Sequence, residues 1–251
     1  MSRDDIDDLL DGWFFDDERV VARQVVAADG RTVVQMRLEL GLLQMECGGR
    51  PDGLRPEGFE TYHELLRDRI SQHGDAYRLS AAQCRAVERE LLQFYHRRVC
   101  WLALHEYAQA TRDARHSLEL IETARRITPR AAWAAELLRQ RPLAVFHLAQ
   151  SVALVELERR GAAAAISKLR LGIADLRATS SGQLADDRAD QRFESDDSEV
   201  DEFVARLEEL SEAIEAHYYP RPWSLGERLR KAIDAEDYEL AARIRDELEG
   251  Q

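Results

Sequence analysis

The chain has 251 residues, of which 45% are hydrophobic, enough to bury a core in one large domain or two small ones. Its 35 Lys and Arg stand against 48 Asp and Glu, a formal charge of -13. Attraction to a phosphate backbone would therefore need a local basic patch working against the field of the whole molecule. No direct nucleic-acid contact is expected.

The start of the chain carries Asp4, Asp5, Asp7 and Asp8, the reverse of a positively charged signal-peptide start, and residues 1–18 read as an acidic flexible leader. No apolar run is long enough to span a bilayer. Cys47, Cys84 and Cys100 are widely spaced and form no CxxC pair, which suits a reducing cytoplasm. Residues 19–58 form a β-rich region. Val20 to Ala28 and Thr32 to Leu40 flank Asp29-Gly30, a dipeptide suited to the positive φ angles of a hairpin turn. Val34, Met36, Leu38 and Leu40 alternate with Gln35, Arg37 and Glu39, so one face of the hairpin is expected to pack on helices. Leu42 to Glu46 extends this arm or adds a third strand before the turn formers of Gly48 to Gly53.

Residues 59–178 read as a helical domain. A first helix runs from about Glu60 to Gln72. A second begins at Ser80, which with Gln83 makes a capping box, and carries Cys84, Val87, Leu91, Tyr95, Val99 and Leu102 as its apolar stripe. The chain turns near His105 to Tyr107. Tyr107, Ala110, Ala114, Leu118 and Ile121 then form a further stripe ending before Thr128-Pro129, where proline suits the first turn of a new helix. Leu143 to Leu157 and Ile166 to Leu176 are separated by a helix stop at Arg160-Gly161. The pairs resemble degenerate tetratricopeptide repeats, through Trp101, Leu104, Tyr107, Ala110 and Leu118, then Leu154, Leu157, Ala164 and Leu171. An ordinary helical bundle obeys the same packing rules. Residues 179–199 read as an acidic, disordered linker. Residues 200–222 supply a helix with Phe203, Leu207, Leu210 and Ile214 on one face, then a connector broken by Pro220 and Pro222.

The last segment, 223–251, contains Leu225, Leu229 and Ile233 at helical spacing, the turn Glu236-Asp237-Tyr238-Glu239, and the run Ala241 to Asp246, with Ser224 and Glu227 as a capping box. It resembles the UVR motif of the excision-repair proteins UvrB and UvrC, of some Clp ATPases and of the arginine-kinase activator McsA. Two short helices cannot enclose a core of their own. The resemblance implies burial against a second copy or a partner protein through Leu225, Leu229, Ile233, Tyr238, Ala241, Ile244 and Leu248. The competing possibility is docking on the chain's own helix from Val200 to His217. The sequence has no GxxxxGK[ST] loop, no nuclease region of the UvrC type and no zinc-binding CxxC pairs, so it carries the adaptor without the engine. In layout it resembles bacterial UVR-motif proteins.

Candidate chemistry is sparse. His96 and Cys100 stand i,i+4, with Cys84 and His105 on the same helical stretch, but a structural zinc takes four ligands. No local nucleophile signature appears, and the scattered acids prefer no acid–base pair. The turns Asp29-Gly30-Arg31 and Gly49 to Gly53 offer a ligand rim or simply satisfy backbone geometry. Arg97, Arg98, Arg112 and Arg115, with Trp101 and Tyr107, alternate with Glu88, Glu90, Glu106 and Asp113, which reads as a mixed, solvated surface. The expected protein is mainly α with a small N-terminal β-hairpin or sheet, a helical-hairpin body and a C-terminal UVR hairpin. It has no catalytic residues, metal or cofactor, and works as a cytoplasmic adaptor or regulator. Its partner would be a second copy, the UvrB and UvrC system, or the Clp and arginine-kinase system.

Overall fold

The computed structural model describes residues 5–180, 197–219, 229, 230, 233, 238 and 242–245. It is mainly helical with one small antiparallel sheet. The chain divides into two compact units, Met1–Ser211 and Glu212–Gln251. Of the sequence reading of residues 179–199 as a disordered linker, 181–196 lie outside the described residues, while 179, 180 and 197–199 fall at the ends of helices; the reading of Ser224 and Glu227 as a capping box lies outside the described residues.

In the first unit a one-turn helix, α1 (Asp7–Leu10), precedes β1 (Ala22–Val26), β2 (Thr32–Leu38) and β3 (Gly41–Glu46), which pair in the order β1-β2-β3. Gly30 takes φ +86° in the first turn, as the Asp-Gly dipeptide requires. Val34 pairs with both Gln24 and Met45, and Val34 and Met45 are buried with Cys100, Trp101 and Ala110. The period-two pattern therefore finds its helices. It ends sooner than the sequence suggests: Leu40 lies beyond β2 and is exposed. On the opposite face Val33 and Gln35 are buried as well, and Gln35 bridges Arg23 and Gln44 at 2.9 Å each. The described part of the leader makes contacts with the sheet. Arg23 donates to Leu9 O and Arg37 to Trp13 O, and these backbone acceptors leave no signature in side-chain pattern.

The helical body comprises α2 (Tyr62–His73), α3 (Ala81–Ala103), α4 (Tyr107–Ile127), α5 (Ala131–Arg139), α6 (Arg141–Arg160) and α7 (Ala162–Ser180), followed by α8 (Asp197–Tyr218). Ser80 and Gln83 form the expected capping box of α3. Between α3 and α4 His105 takes φ 61°, an uncommon left-handed conformation for a residue with a side chain. Pro129 stands before α5 rather than inside it, Arg130 being the N-cap. Gly161 ends α6 with φ +87°. At Gly172 on α7 an added Cβ would come within 2.2 Å of Ala149 Cβ on α6, so only hydrogen fits where the two helices cross. Ala110 and Ala114 on α4 and Ala153 on α6 are buried too, and Thr111 donates to Ser151 at 3.0 Å between these helices. Small residues let α4, α6 and α7 stack closely.

The stripe on α3 differs from the sequence reading after Leu91. Stepping four residues at a time drifts off a 3.6-residue turn. The buried positions are Cys84, Val87, Leu91, Phe94, Cys100 and Trp101, joined by Glu90, Arg97 and Arg98, whereas Tyr95, Val99 and Leu102 are half-buried. Of the charges read as a solvated surface, Glu90, Arg97, Arg98 and Asp113 are thus core residues, whereas Glu88, Glu106, Arg112 and Arg115 are exposed as expected. Arg97 grips Asp113 of α4 with Nε and Nη2 at 2.7 and 2.8 Å, and its Nη1 donates to Glu46 O and Gly49 O at 2.8 and 3.0 Å. Glu90 accepts from Tyr62 N and His63 N at 2.6 and 3.0 Å, the first amides of α2, and lies 2.9 Å from His116 Nε2. A carboxylate there also complements the positive end of the helix dipole. Arg98 donates to His147 Nδ1 and Ser117 Oγ, both at 3.0 Å.

Adding a methyl group at Gly172 sets a gain in helix propensity of about 1 kcal/mol against a clash with the Ala149 Cβ, which cannot rotate away. Overpacking costs typically about 1–3 kcal/mol, and at 2.2 Å the clash wins. Gly172→Ala is expected to lower stability in urea titration, and Gly172→Val further. Burial pushes the His63 pKa down to about 4, helped by the nearby His116 and Arg67, and the His147 pKa down to about 3, helped by Arg98 and Arg206. Below the unfolded value near 6.5 the unfolded chain takes up protons that these rings refuse, so their contribution to stability falls as pH drops toward those values. Each ring contributes a slope of up to about 1.4 kcal/mol per pH unit. His147→Gln, which keeps an acceptor for Arg98, is expected to have a shallower pH dependence than the parent between pH 6 and 4 in denaturant titrations.

Candidate protein-interaction site

The second unit begins within the last turns of α8. Leu229, Arg230, Ile233, Tyr238 and residues 242–245 are helical. Their exposure divides the residues proposed for partner contact. Ile233 is 51% exposed and Tyr238 69%, Leu229 is half-buried, and Ile244 is 2% exposed. Leu225, Ala241 and Leu248 lie outside the described residues. Ile214, at the α8 end of the unit, is buried like Ile244. Among its described residues the unit therefore has two enclosed apolar positions, Ile214 and Ile244, and two open ones, Ile233 and Tyr238. An isoleucine and a tyrosine left in water forgo a favourable burial of about 1.5–3 kcal/mol for a side chain of that size.

Residues 224–250 match the UvrB/uvrC motif. The matched segment contains all seven residues that the sequence resemblance assigned to partner contact. Neither the curated proteins nor the solved structures yielded a match to the chain.

The other candidate groups separate into structural roles. Cys100 is buried with its thiol pushed up to about 12 by desolvation, Cys84 is buried in the cluster around Leu66 and Leu120, and burial lowers the pKa of His96. Among the described residues no three His, Cys, Asp or Glu side chains gather where they could hold a metal ion. Arg97, Arg98 and Trp101 are buried and cannot form a nucleic-acid face, while Arg112 reaches back to Cys47 O at 2.8 Å. The Gly49 to Gly53 turn is drawn inward. Arg50 is buried, chelates Asp52 through Nε and Nη2 at 3.1 and 2.7 Å, and its backbone amide donates to Glu60 O. At Gly49, φ +55°, a Cβ would press on Glu60 Oε2 at 2.9 Å. Arg31 pairs with Asp29 and Glu46, so the first turn is also tied to the sheet. Among the described residues no helix is long and apolar enough to cross a membrane.

A groove between α2 and α4 has no counterpart in the sequence pattern. It has a volume of about 780 Å³, with His63 and Arg67 from α2, Ile121, Thr123 and Arg126 from α4, and Arg141 at the start of α6. His63 Nε2 lies 3.1 Å from Thr123 Oγ1 across it.

Truncating an enclosed position should be far costlier than truncating an open one. Ile244→Ala is expected to destabilise the second unit by about 2–5 kcal/mol, and Ile233→Ala by under about 0.5 kcal/mol. Amide hydrogen exchange over residues 212–251 reads the difference.

Proposed function

We propose that this chain is a non-enzymatic adaptor or regulator that docks a protein partner, or a second copy of itself, through the apolar face of its C-terminal hairpin. The observation that carries this reading is the motif match at 224–250 with Ile233 and Tyr238 left open inside it. Apolar side chains in a segment too small to enclose a core gain most by burial against another surface. Clustering of the hairpin with the end of α8, and the burial of Ile214 and Ile244, favour a division of labour: one face seats the hairpin and the other meets the partner. A non-catalytic role is supported by the commitments of the polar side chains. Glu90, Asp113 and Arg97 are spent on backbone amides, carbonyls and one another, and Arg98 on His147 and Ser117, which ties up the buried charged groups among the described residues. Three free thiols suit a reducing cytoplasm.

The partner is drawn either from the UvrABC excision-repair system or from the Clp and arginine-kinase system, since both use the same kind of hairpin. Purified UvrB, UvrC, a Clp ATPase and an arginine kinase are each titrated with the full chain and with Ile233→Asp/Tyr238→Asp. The expected result is binding to one of them that the double variant weakens at least about tenfold, by exposing charge where about 1.5–3 kcal/mol per side chain of burial is sought. Equal binding by parent and variant, or binding to none together with no self-association, overturns the reading.

A further inference from the structure

Two features of the first unit complement each other. The first is the leader. Residues 1–19 hold eight acidic and two basic side chains around an aromatic pair, Phe14-Phe15. Arg23 Nη2 donates to Leu9 O and Arg37 Nε to Trp13 O, both at 2.9 Å, and the Arg23 guanidinium lies 3.9 Å from the centre of the Trp13 ring. This pinning acts on Trp13 and on backbone, so Phe14 is turned out and is 84% exposed. Arg37 also donates to Gly41 O at 2.9 Å, which brings the β2–β3 turn beside the leader, and Leu40 in that turn is 92% exposed. An ordered apolar patch rimmed by acids repels nucleic acid and anionic membrane, and fits a protein surface that is basic at its edge and apolar at its floor.

The second feature is such a surface. Residues 20–178, the segment that supplies the groove, contain 24 basic and 19 acidic side chains, whereas residues 179–211 of the same unit contain 3 basic and 11 acidic ones, so the complement to the leader is local to the groove. In the α2/α4 groove Ile70, Leu118 and Ile121 supply apolar lining. Its charged rim is Arg67, Arg126, Arg141, Glu119 and Glu122. Arg125 takes both oxygens of Glu122, at 2.7 and 2.9 Å, and Arg141 is shared with Asp175 at 3.0 Å. Arg67 and Arg126 have no carboxylate partner among the described residues. The volume of about 780 Å³ falls within the span of ligand pockets, about 300–1,000 Å³.

We propose that the acidic aromatic leader of one copy, led by Phe14 and Phe15, docks in the α2/α4 groove of a second copy between Arg67 and Arg126. The contact is head to tail. Each copy offers one patch and one groove, so growth is open-ended unless the rotation closes a ring, and the acidic segment meeting guanidinium groups makes it salt-dependent.

The test is the weight-average mass of the full chain by light scattering over a concentration series, at low and high salt. Phe14→Ser/Phe15→Ser removes the patch and Arg67→Glu/Arg126→Glu the groove; all four positions are exposed, and unchanged melting confirms that the folds persist. The expected result is a parent whose mass rises with concentration and falls with salt, and two variants weakened at least about tenfold. Mixing the two variants restores one intact patch and one intact groove, so the equimolar mixture forms a dimer that neither forms alone. A parent of constant monomer mass overturns the proposal. So does association that both variants retain, or that stops at a dimer insensitive to salt while Ile233→Asp abolishes it, which is how pairing through the hairpin behaves. A mixture without recovery overturns it also.

Discussion

The buried pair of Arg97 and Asp113 holds three parts of the first unit in one place. Both side chains are almost wholly removed from water, a state that costs several kcal/mol per ion unless geometry and further bonds offset it. Here the offset comes from a bidentate contact and from two backbone carbonyls, those of Glu46 and Gly49, that accept from the same guanidinium. One side chain on α3 thereby fixes α4 on one side and the end of β3 with its following turn on the other. Glu90, two turns earlier on α3, repeats the device by holding the first amides of α2 and the His116 ring of α4. The sheet and the helices share a core because α3 carries polar anchors inside it.

This explains what was legible in the sequence and what was not. Strands, turns and caps depend on neighbours a few residues away, so Asp29-Gly30, Ser80-Gln83 and Gly161 could be read from local pattern. The burial of Glu90, Arg97 and Arg98 depends on partners 16 to 51 residues distant, and a charge on a helix gives no sign of whether such a partner will arrive. The groove was invisible for the same reason, since it takes its walls from α2, α4 and the start of α6. The hairpin was visible because its signal is a run of apolar spacing and acidic turn within 27 residues, 224–250. The division between Ile244 enclosed and Ile233 open was not, because both are isoleucines at helical spacing and only the packing tells them apart.

Glu90, Arg97, Arg98 and Asp113 are committed to the architecture of the first unit, and the two segments proposed to dock elsewhere lie near the two ends of the chain. They differ in physical kind. The hairpin offers Ile233 and Tyr238, where burial of apolar area would supply most of the energy and salt would matter little. The leader offers Phe14 within a strongly acidic run that would face Arg67 and Arg126 of the groove, so its encounter would be steered by local charge and weakened by screening. Two contacts with different salt responses can be separated by ionic strength alone. Raising salt would silence the leader while leaving the hairpin competent, so partner capture that survives high salt belongs to the hairpin, and mass growth that disappears belongs to the leader and groove.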